Sequence, residues 1–240
     1  MLKIVCTMWH YIARKRHRLP VVLVLILGVA MNKFIKEAPF WIPLLGTPLN
    51  DTKENIFYFS PIVWICVNAI LLYAAVDCLW TAWKHMFTYV RLKGFSFRKA
   101  YTALFLFNMS ISVTLVLTLL ILSFILSLAV GNAIPWSRSE IPSLAAMLVL
   151  WLLGTSFSFW LAWLISVVAK NVYIGLISAF ALLIASGYTL PNGLWLPGTQ
   201  WIYGAHIMSG GPSFMESTIY LAILIIAEFL GGYRFIERAR

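Results

Sequence analysis

The segment AYTALFLFNMSISVTLVLTLLILSFILSLAV, residues 100–130, contains no Asp, Glu, Lys or Arg and consists mostly of aliphatic side chains. A helix needs about 20 apolar residues to cross the roughly 30 Å hydrocarbon core of a bilayer, and this segment exceeds that length. Its apolar run is unbroken, without the alternation of polar and apolar side chains that is typical of a membrane β-strand. The segment therefore predicts a transmembrane α-helix.

The rest of the chain repeats this pattern. Of the 240 residues, 62 % are hydrophobic and only 11 % are charged, and the mean hydropathy is +0.89. A soluble domain would carry roughly 25 % charged residues. We predict an all-α integral membrane protein with one transmembrane domain and six transmembrane helices. The predicted spans are residues 19–35, 59–83, 100–130, 141–169, 172–190 and 214–236.

The distribution of basic residues predicts the orientation. Most of the 18 Lys and Arg residues lie in segments that would share one side of the membrane with the N-terminus. Short basic segments stay in the cytoplasm, so we expect both termini to be cytoplasmic. The bases are spread over four segments next to membrane spans, and we do not expect the net charge of +10 to bind nucleic acid.

Residues 1–18 have the pattern of an amphipathic helix. Lys3, Thr7, His10 and Arg14 share one stripe of that helix, and Met1, Ile4, Val5, Met8, Trp9 and Ile12 share the opposite face. Trp9 suits the level of the lipid headgroups, and the basic cluster at 14–18 suits anionic lipid. We predict an interfacial helix before the first span. The alternative is an uncleaved signal-anchor with an unstructured tail.

Residues 191–213 predict a second element that does not cross the membrane. The segment combines Pro and Gly with the aromatic residues Trp195, Trp201 and Tyr203, and it also contains His206. It is too apolar for a free loop and too interrupted for a span. We predict a re-entrant or interfacial hairpin on the outer side, where these four residues would form an outer gate.

Motifs for catalysis are absent from the sequence. It contains no P-loop, no HExxH and no GxSxG, and the four histidines lie in different segments. Cys6, Cys66 and Cys78 have no metal-binding spacing and imply no disulfide. We therefore expect this chain to be no enzyme and to bind no cofactor or metal of its own.

Two acidic residues lie inside predicted spans: Asp77 in the second and Glu228 in the sixth. A charge in the membrane is costly, so each should face the bundle interior, line a wet cavity or pair with a base. Both acids lie toward the cytoplasmic ends of their spans. We expect them to pair with Lys84, Lys170 or Arg234, and a proton relay is the alternative.

The segment 84–99 between the second and third spans is basic and contains no acid. Rigid apolar side chains among bases suit a docking element, and the same bases would also serve to hold the segment in the cytoplasm. The residues that would form this element are Arg91, Lys93, Gly94, Phe95, Ser96, Phe97, Arg98 and Lys99.

This arrangement resembles the ABC-2 type permeases over essentially the whole chain. The shared features are the amphipathic start, the basic segment after the second span, the tight turn VVAKNVYIG and the broken hairpin before the last span. The chain is most similar to small bacterial permeases that export peptide antibiotics or bacteriocins or give immunity to them. The resemblance implies a location in the bacterial inner membrane.

The resemblance also implies partners. Two cytoplasmic P-loop ATPases would carry ATP and Mg²⁺, and a second permease copy or homologue would complete the pathway. Residues 91–99 would contain the coupling helix that docks in the ATPase, and the helix with Lys3, Trp9, His10 and Arg14 would be an elbow that braces the gate.

Other functions remain open at this point. A proton-driven secondary transporter would use Asp77 and Glu228, although such carriers usually show internal repeats and the sequence shows none. A non-transporting assembly or sensor protein would use the aromatic hairpin for recognition. The six-span membrane subunit of cytochrome c maturation is similar in size.

Overall fold

The computed structural model describes residues 2–14, 60–130, 141–188, 196–202, 206 and 211–238. These residues are helical and include no β-strand, which confirms the all-α prediction for the described part of the chain. Several predicted features lie outside the described residues: the first span at 19–35, the gate residues Trp195 and Tyr203, and the side chains of Arg14 and Arg91.

The helices are α1 (Leu2–Arg14), α2 (Ser60–Lys93), α3 (Phe97–Val130), α4 (Ile141–Ala169), α5 (Val172–Tyr188) and α6 (Phe214–Arg238), with a 3₁₀ helix at Pro197–Trp201. Four of them, α2, α3, α4 and α6, are long and apolar enough to cross a membrane. The apolar part of α5, Val172–Gly187, is shorter than the roughly 20 residues of a typical span. The four long helices indicate a membrane protein, and the six-span count and the orientation stay predictions.

Two helices extend beyond their predicted spans. The prediction ends the second span at residue 83 and begins the third at residue 100, but α2 continues to Lys93 and α3 begins at Phe97. Residues 84–93 contain neither Gly nor Pro, so nothing in their backbone chemistry stops the helix. Falling hydropathy marks where a helix leaves lipid, and the helix itself ends at the next backbone signal, which is Gly94.

The centre of the fold is α4, which packs against α2, α3, α5, α6 and the 3₁₀ helix. Trp151, Trp160 and Trp163 of α4 are fully buried. Gly175 of α5 lies directly against the backbone of Ala162, so these two helices approach closely. Small residues at a crossing allow such close approach, which lipid-embedded helices rely on for packing.

A tight turn joins α4 to α5, as the sequence predicts. Lys170 has a φ of 54°, the left-handed conformation that ends many helices. The backbone N–H of Asn171 donates to the carbonyl of Ser166 at 3.0 Å, and the Asn171 Oδ1 accepts from the backbone N–H of Tyr173 at 2.9 Å. Asn171 therefore caps the start of α5 while the turn closes α4.

Candidate functional site

The strongest candidate site is the tip of the helical hairpin formed by α2 and α3. The chain reverses over Gly94, Phe95 and Ser96, and Gly94 has a φ of 65°, which a residue with a side chain rarely adopts. The backbone N–H of Ala100 then donates to the carbonyl of Ser96 at 3.3 Å in the first turn of α3. The separate short helix predicted for this segment is absent here, because two long helices meet in a three-residue turn.

The surface of this tip combines apolar side chains with bases. Leu92 is 81 % exposed, the largest value among the exposed large hydrophobic residues. The rings of Tyr89 and Phe95 stack with centroids 6.0 Å apart, and Lys93 Nζ lies 4.7 Å from the centroid of Tyr89. Such a cation–π contact contributes about 0.5–1 kcal/mol at an exposed site. The side chains of the turn therefore form an ordered surface in which they contact one another.

The charged residues of the α2–α3 turn itself are all basic. Lys93, Arg98 and Lys99 are exposed, and the sequence contains no acid between Asp77 and Glu140. Tyr89 and Leu92 were not among the predicted site residues. Their exposure follows from the helical extension to Lys93, and the only signal for it in the sequence is the lack of Gly and Pro before residue 94.

Phe97 does not belong to the exposed surface, although the prediction placed it there beside Phe95. It is half-buried, and its ring lies 6.4 Å from Trp83, 6.0 Å from Tyr101 and 5.6 Å from Tyr233. The spacing of two Phe residues around Ser96 looks symmetrical in sequence, but α3 begins at Phe97 and turns its ring toward the bundle. Phe97 thus anchors the hairpin while Phe95 faces outward.

An aromatic cluster fixes the base of the hairpin. Tyr101 is its centre: the hydroxyl donates to the carbonyl of Phe229 at 3.1 Å, and the ring contacts Trp160 at 5.4 Å. Each aromatic pair adds about 0.5–1.5 kcal/mol beyond the area it buries. The cluster joins α2, α3, α4 and α6 at the base of the hairpin. Its members are Trp83, Phe97, Tyr101, Phe105, Trp160, Trp163, Phe229 and Tyr233.

The 3₁₀ helix lies inside the bundle. It packs against α4 at Gly154, which precedes the cluster residues Trp160 and Trp163 along that helix. Its residues Gly198, Thr199, Gln200 and Trp201 are buried. The Trp201 ring covers Gly154 of α4, where a Cβ atom would overlap the ring, and lies 6.0 Å from the ring of Trp64. The Ser217 hydroxyl of α6 donates to Gln200 Oε1 at 2.7 Å. The predicted re-entrant or interfacial hairpin spans residues 191–213, of which the structure describes 196–202, 206 and 211–213, and its position relative to the membrane stays a prediction.

His206 joins the 3₁₀ helix to the start of α6. Its Nδ1 lies 2.8 Å from the carbonyl of Pro212, its Nε2 lies 2.9 Å from the carbonyl of Gln200, and its ring stacks on Phe214 at 4.6 Å. Two of the predicted gate residues therefore have fixed positions: Trp201 is held by packing, and His206 is held by hydrogen bonds and ring stacking. Their role in gating stays a prediction.

The N-terminal helix α1 packs against the bundle by its apolar face. Met8 is buried, Trp9 Nε1 donates to Ser110 Oγ at 3.0 Å, and the Trp9 ring lies 5.5 Å from that of Phe107. The polar stripe with Lys3, Thr7 and His10 is exposed. Ser110 is 13 residues from Phe97, or about 20 Å along α3. The structure thus places α1 against the middle of α3, and the predicted interfacial position stays a prediction.

The two intramembrane acids differ. Asp77 is half-buried and has an interaction partner. Both carboxylate oxygens of Glu228 are buried and accept no hydrogen bond. The expected pairing of Glu228 with a base such as Arg234 is therefore wrong among the described residues. Lys84, another expected partner, instead places its ammonium 5.0 Å from the ring centroid of Trp80.

Comparisons with known proteins identify no relative. No protein-family model matches the chain, no curated protein shows significant similarity to it, and no solved structure matches it. Within the described ranges, no three His, Cys, Asp or Glu side chains come together in a way that could hold a metal ion.

Proposed function

We propose that this chain is the membrane-spanning subunit of an ATP-driven exporter, of the ABC-2 permease type, and that the α2–α3 tip docks its ATPase. The observation that carries the proposal is the tip itself: an ordered turn with an exposed Leu92, a Tyr89–Phe95 stack and only basic charges. Exposed apolar groups inside a charged rim are typical of a protein interaction surface.

The length of α2 favours a protein partner over lipid. The apolar stretch of α2 ends at His85, and Leu92 follows seven residues later, about 10 Å along the axis. The headgroup layer on each side of a bilayer is about 5–8 Å thick. Leu92 would therefore reach beyond the headgroups, where an apolar side chain needs a protein surface to leave water.

The aromatic cluster at the hairpin base supports a coupling role. Closure of two ATPases, which would bind ATP and Mg²⁺, would displace the tip. Because Phe97 and Tyr101 bind the hairpin to Trp163 of α4 and Phe229 of α6, the displacement would pass to those helices. Two permease chains would then alternate between inward-open and outward-open states in a bacterial inner membrane, and would export an amphipathic peptide or a lipid-like molecule.

The test begins with the partner. The tagged chain is purified from its native membrane in mild detergent, and co-purifying proteins are identified by mass spectrometry. We expect a P-loop ATPase at about one copy per permease. A clean single chain, with crosslinking also negative, would contradict the proposal and favour an ATPase-independent carrier.

A paired substitution then tests the site. Leu92→Asp combined with Phe95→Asp should abolish ATPase association, because the apolar contact becomes acidic, while membrane insertion is retained. The matched control is Tyr173→Asp, since Tyr173 is 68 % exposed at the α4–α5 turn. That turn lies toward the same end of α4 as Trp163, which contacts Tyr101 near the base of the hairpin. If the tip variant bound the ATPase as well as the Tyr173→Asp variant does, docking at the tip would be refuted.

A further inference from the structure

Glu228 is the one carboxyl group among the described residues whose two oxygens are both buried and without a hydrogen-bond partner. Leaving a carboxylate in such a place costs far more free energy than leaving a neutral acid there. No described side chain donates a hydrogen bond to it, and the Tyr101 hydroxyl of α3 donates to the carbonyl of Phe229 instead. The packed bundle therefore accommodates the neutral acid much better than the anion.

The residue that follows Glu228 in α6 belongs to the aromatic cluster. Phe229, the next residue, has its ring 4.7 Å from Phe105 and 5.3 Å from Tyr101, and Trp160 of α4 contacts both Phe105 and Tyr101. The described titratable side chains of α3 and α6 that lie toward the same end of the bundle as Glu228 are Arg98, Lys99, Tyr101, Tyr233, Arg234 and Glu237; Glu216 and Tyr220 lie toward the other end of α6. The α4 segment that faces them contributes tryptophans, and Lys170 lies at its end.

Packing of α6 and the protonation of Glu228 are thus linked. In the bundle α6 packs mainly against α4 and also contacts Tyr101 and Phe105 of α3, and both oxygens of the carboxyl group are buried there. Only 17 % of the apolar stretch of α6 is buried in the bundle, against 39–56 % for the other three long helices, so moving α6 breaks the fewest contacts inside the bundle. When α6 separates from α4 and α3, water would reach the carboxyl group and accept its proton.

We propose that Glu228 is a proton-binding site whose occupancy controls the packing of α6 on α4 and α3. In the packed state the carboxyl group holds one proton; on separation the proton leaves to water, and the carboxylate that remains opposes repacking until it binds a proton again. The ligand is a proton because the described residues offer no group of His, Cys, Asp or Glu side chains that could hold a metal ion. The proton site does not require an ATPase. An experiment that refutes the proton site therefore leaves the docking proposal standing, and the reverse also holds.

Infrared spectroscopy tests the site directly. The wild-type chain in lipid at neutral pH should show the carbonyl stretching band of a protonated carboxylic acid, and Glu228→Gln should lose that band. The band should shift in heavy water, because the bound proton exchanges when α6 opens. Glu237→Gln is the matched control: Glu237 lies on the same helix, is exposed, and accepts from the Tyr233 hydroxyl at 3.1 Å, so its removal should leave the band unchanged.

Two results would overturn the proposal. Loss of a carboxylate band in Glu228→Gln, with no protonated band in the wild type, would mean that a base neutralises Glu228. A protonated band that does not shift in heavy water would mean a proton that never exchanges. If Glu228→Gln does not fold, Glu228→Asp replaces it: an exchangeable protonated band that shifts in Glu228→Asp but not in Glu237→Gln supports the site, and a band unchanged in both variants refutes it.

Discussion

The hairpin tip and the 3₁₀ segment place similar residues in opposite environments. Both combine large aromatic side chains with a Gly, but Leu92 and Phe95 at the tip are exposed, whereas Trp201 is completely buried. Polar groups differ in the same way: Gln200 is hydrogen-bonded inside the bundle, and Lys93 lies over a ring at the surface. Composition alone therefore does not distinguish an exposed surface from a segment that is buried in the fold.

The largest effect on stability is expected at the base of the hairpin. Trp163 is fully buried and contacts Trp83, Trp160 and Tyr101. Trp163→Ala should lower the free energy of unfolding by about 3 kcal/mol, the low end for such a truncation because lipid leaves mainly the packing loss. Thermal unfolding in detergent measures it. Leu92→Ala, at the exposed tip, should stay within about 0.5 kcal/mol of the wild type. Equal losses of unfolding free energy in Trp163→Ala and Leu92→Ala would contradict the expectation that the base of the hairpin stabilises the fold and the tip does not.

The next effect concerns the 3₁₀ segment. Gly154→Ala introduces a methyl group that overlaps the Trp201 ring, so it should cost about 1–3 kcal/mol and displace that ring. The displacement would appear as a change in tryptophan fluorescence. Gly231→Ala is the matched control, because a Cβ at 231 meets nothing within 4 Å, and it should stabilise α6 by up to about 1 kcal/mol. If Gly154→Ala left both the free energy of unfolding and the tryptophan fluorescence unchanged, the Trp201 ring would not be packed on Gly154.

The smallest effect on stability is expected from charge reversal at the tip. Lys93→Glu combined with Lys99→Glu alters two exposed side chains and should change the free energy of unfolding by less than about 0.5 kcal/mol. Binding of the ATPase should nevertheless weaken, and wild-type binding should weaken as salt is raised, because exposed charges are screened. Pull-down at several salt concentrations checks both. Binding that is insensitive to charge and to salt would point to a purely apolar contact.

Sequence reasoning predicts the helical class, the spans that correspond to α2, α3, α4 and α6, and the amphipathic face of α1, since hydropathy and helical periodicity are local properties. It also finds the basic segment and the Asn171 turn. It does not predict that α2 runs to Lys93, because hydropathy falls before the helix ends. The separation of Phe95 from Phe97, and the lack of a partner for Glu228, depend on which helices pack together, and that information is not local.

The most direct test of the central claim is photo-crosslinking from the tip. p-Benzoylphenylalanine in place of Leu92 is irradiated in native membranes, with the same residue in place of Tyr173 as the reference position. The account predicts a specific crosslink from position 92 to a P-loop ATPase and a much weaker one from position 173. A crosslink from position 92 to lipid alone, or equal crosslinking from both positions, would contradict the assignment of the α2–α3 tip as the docking site.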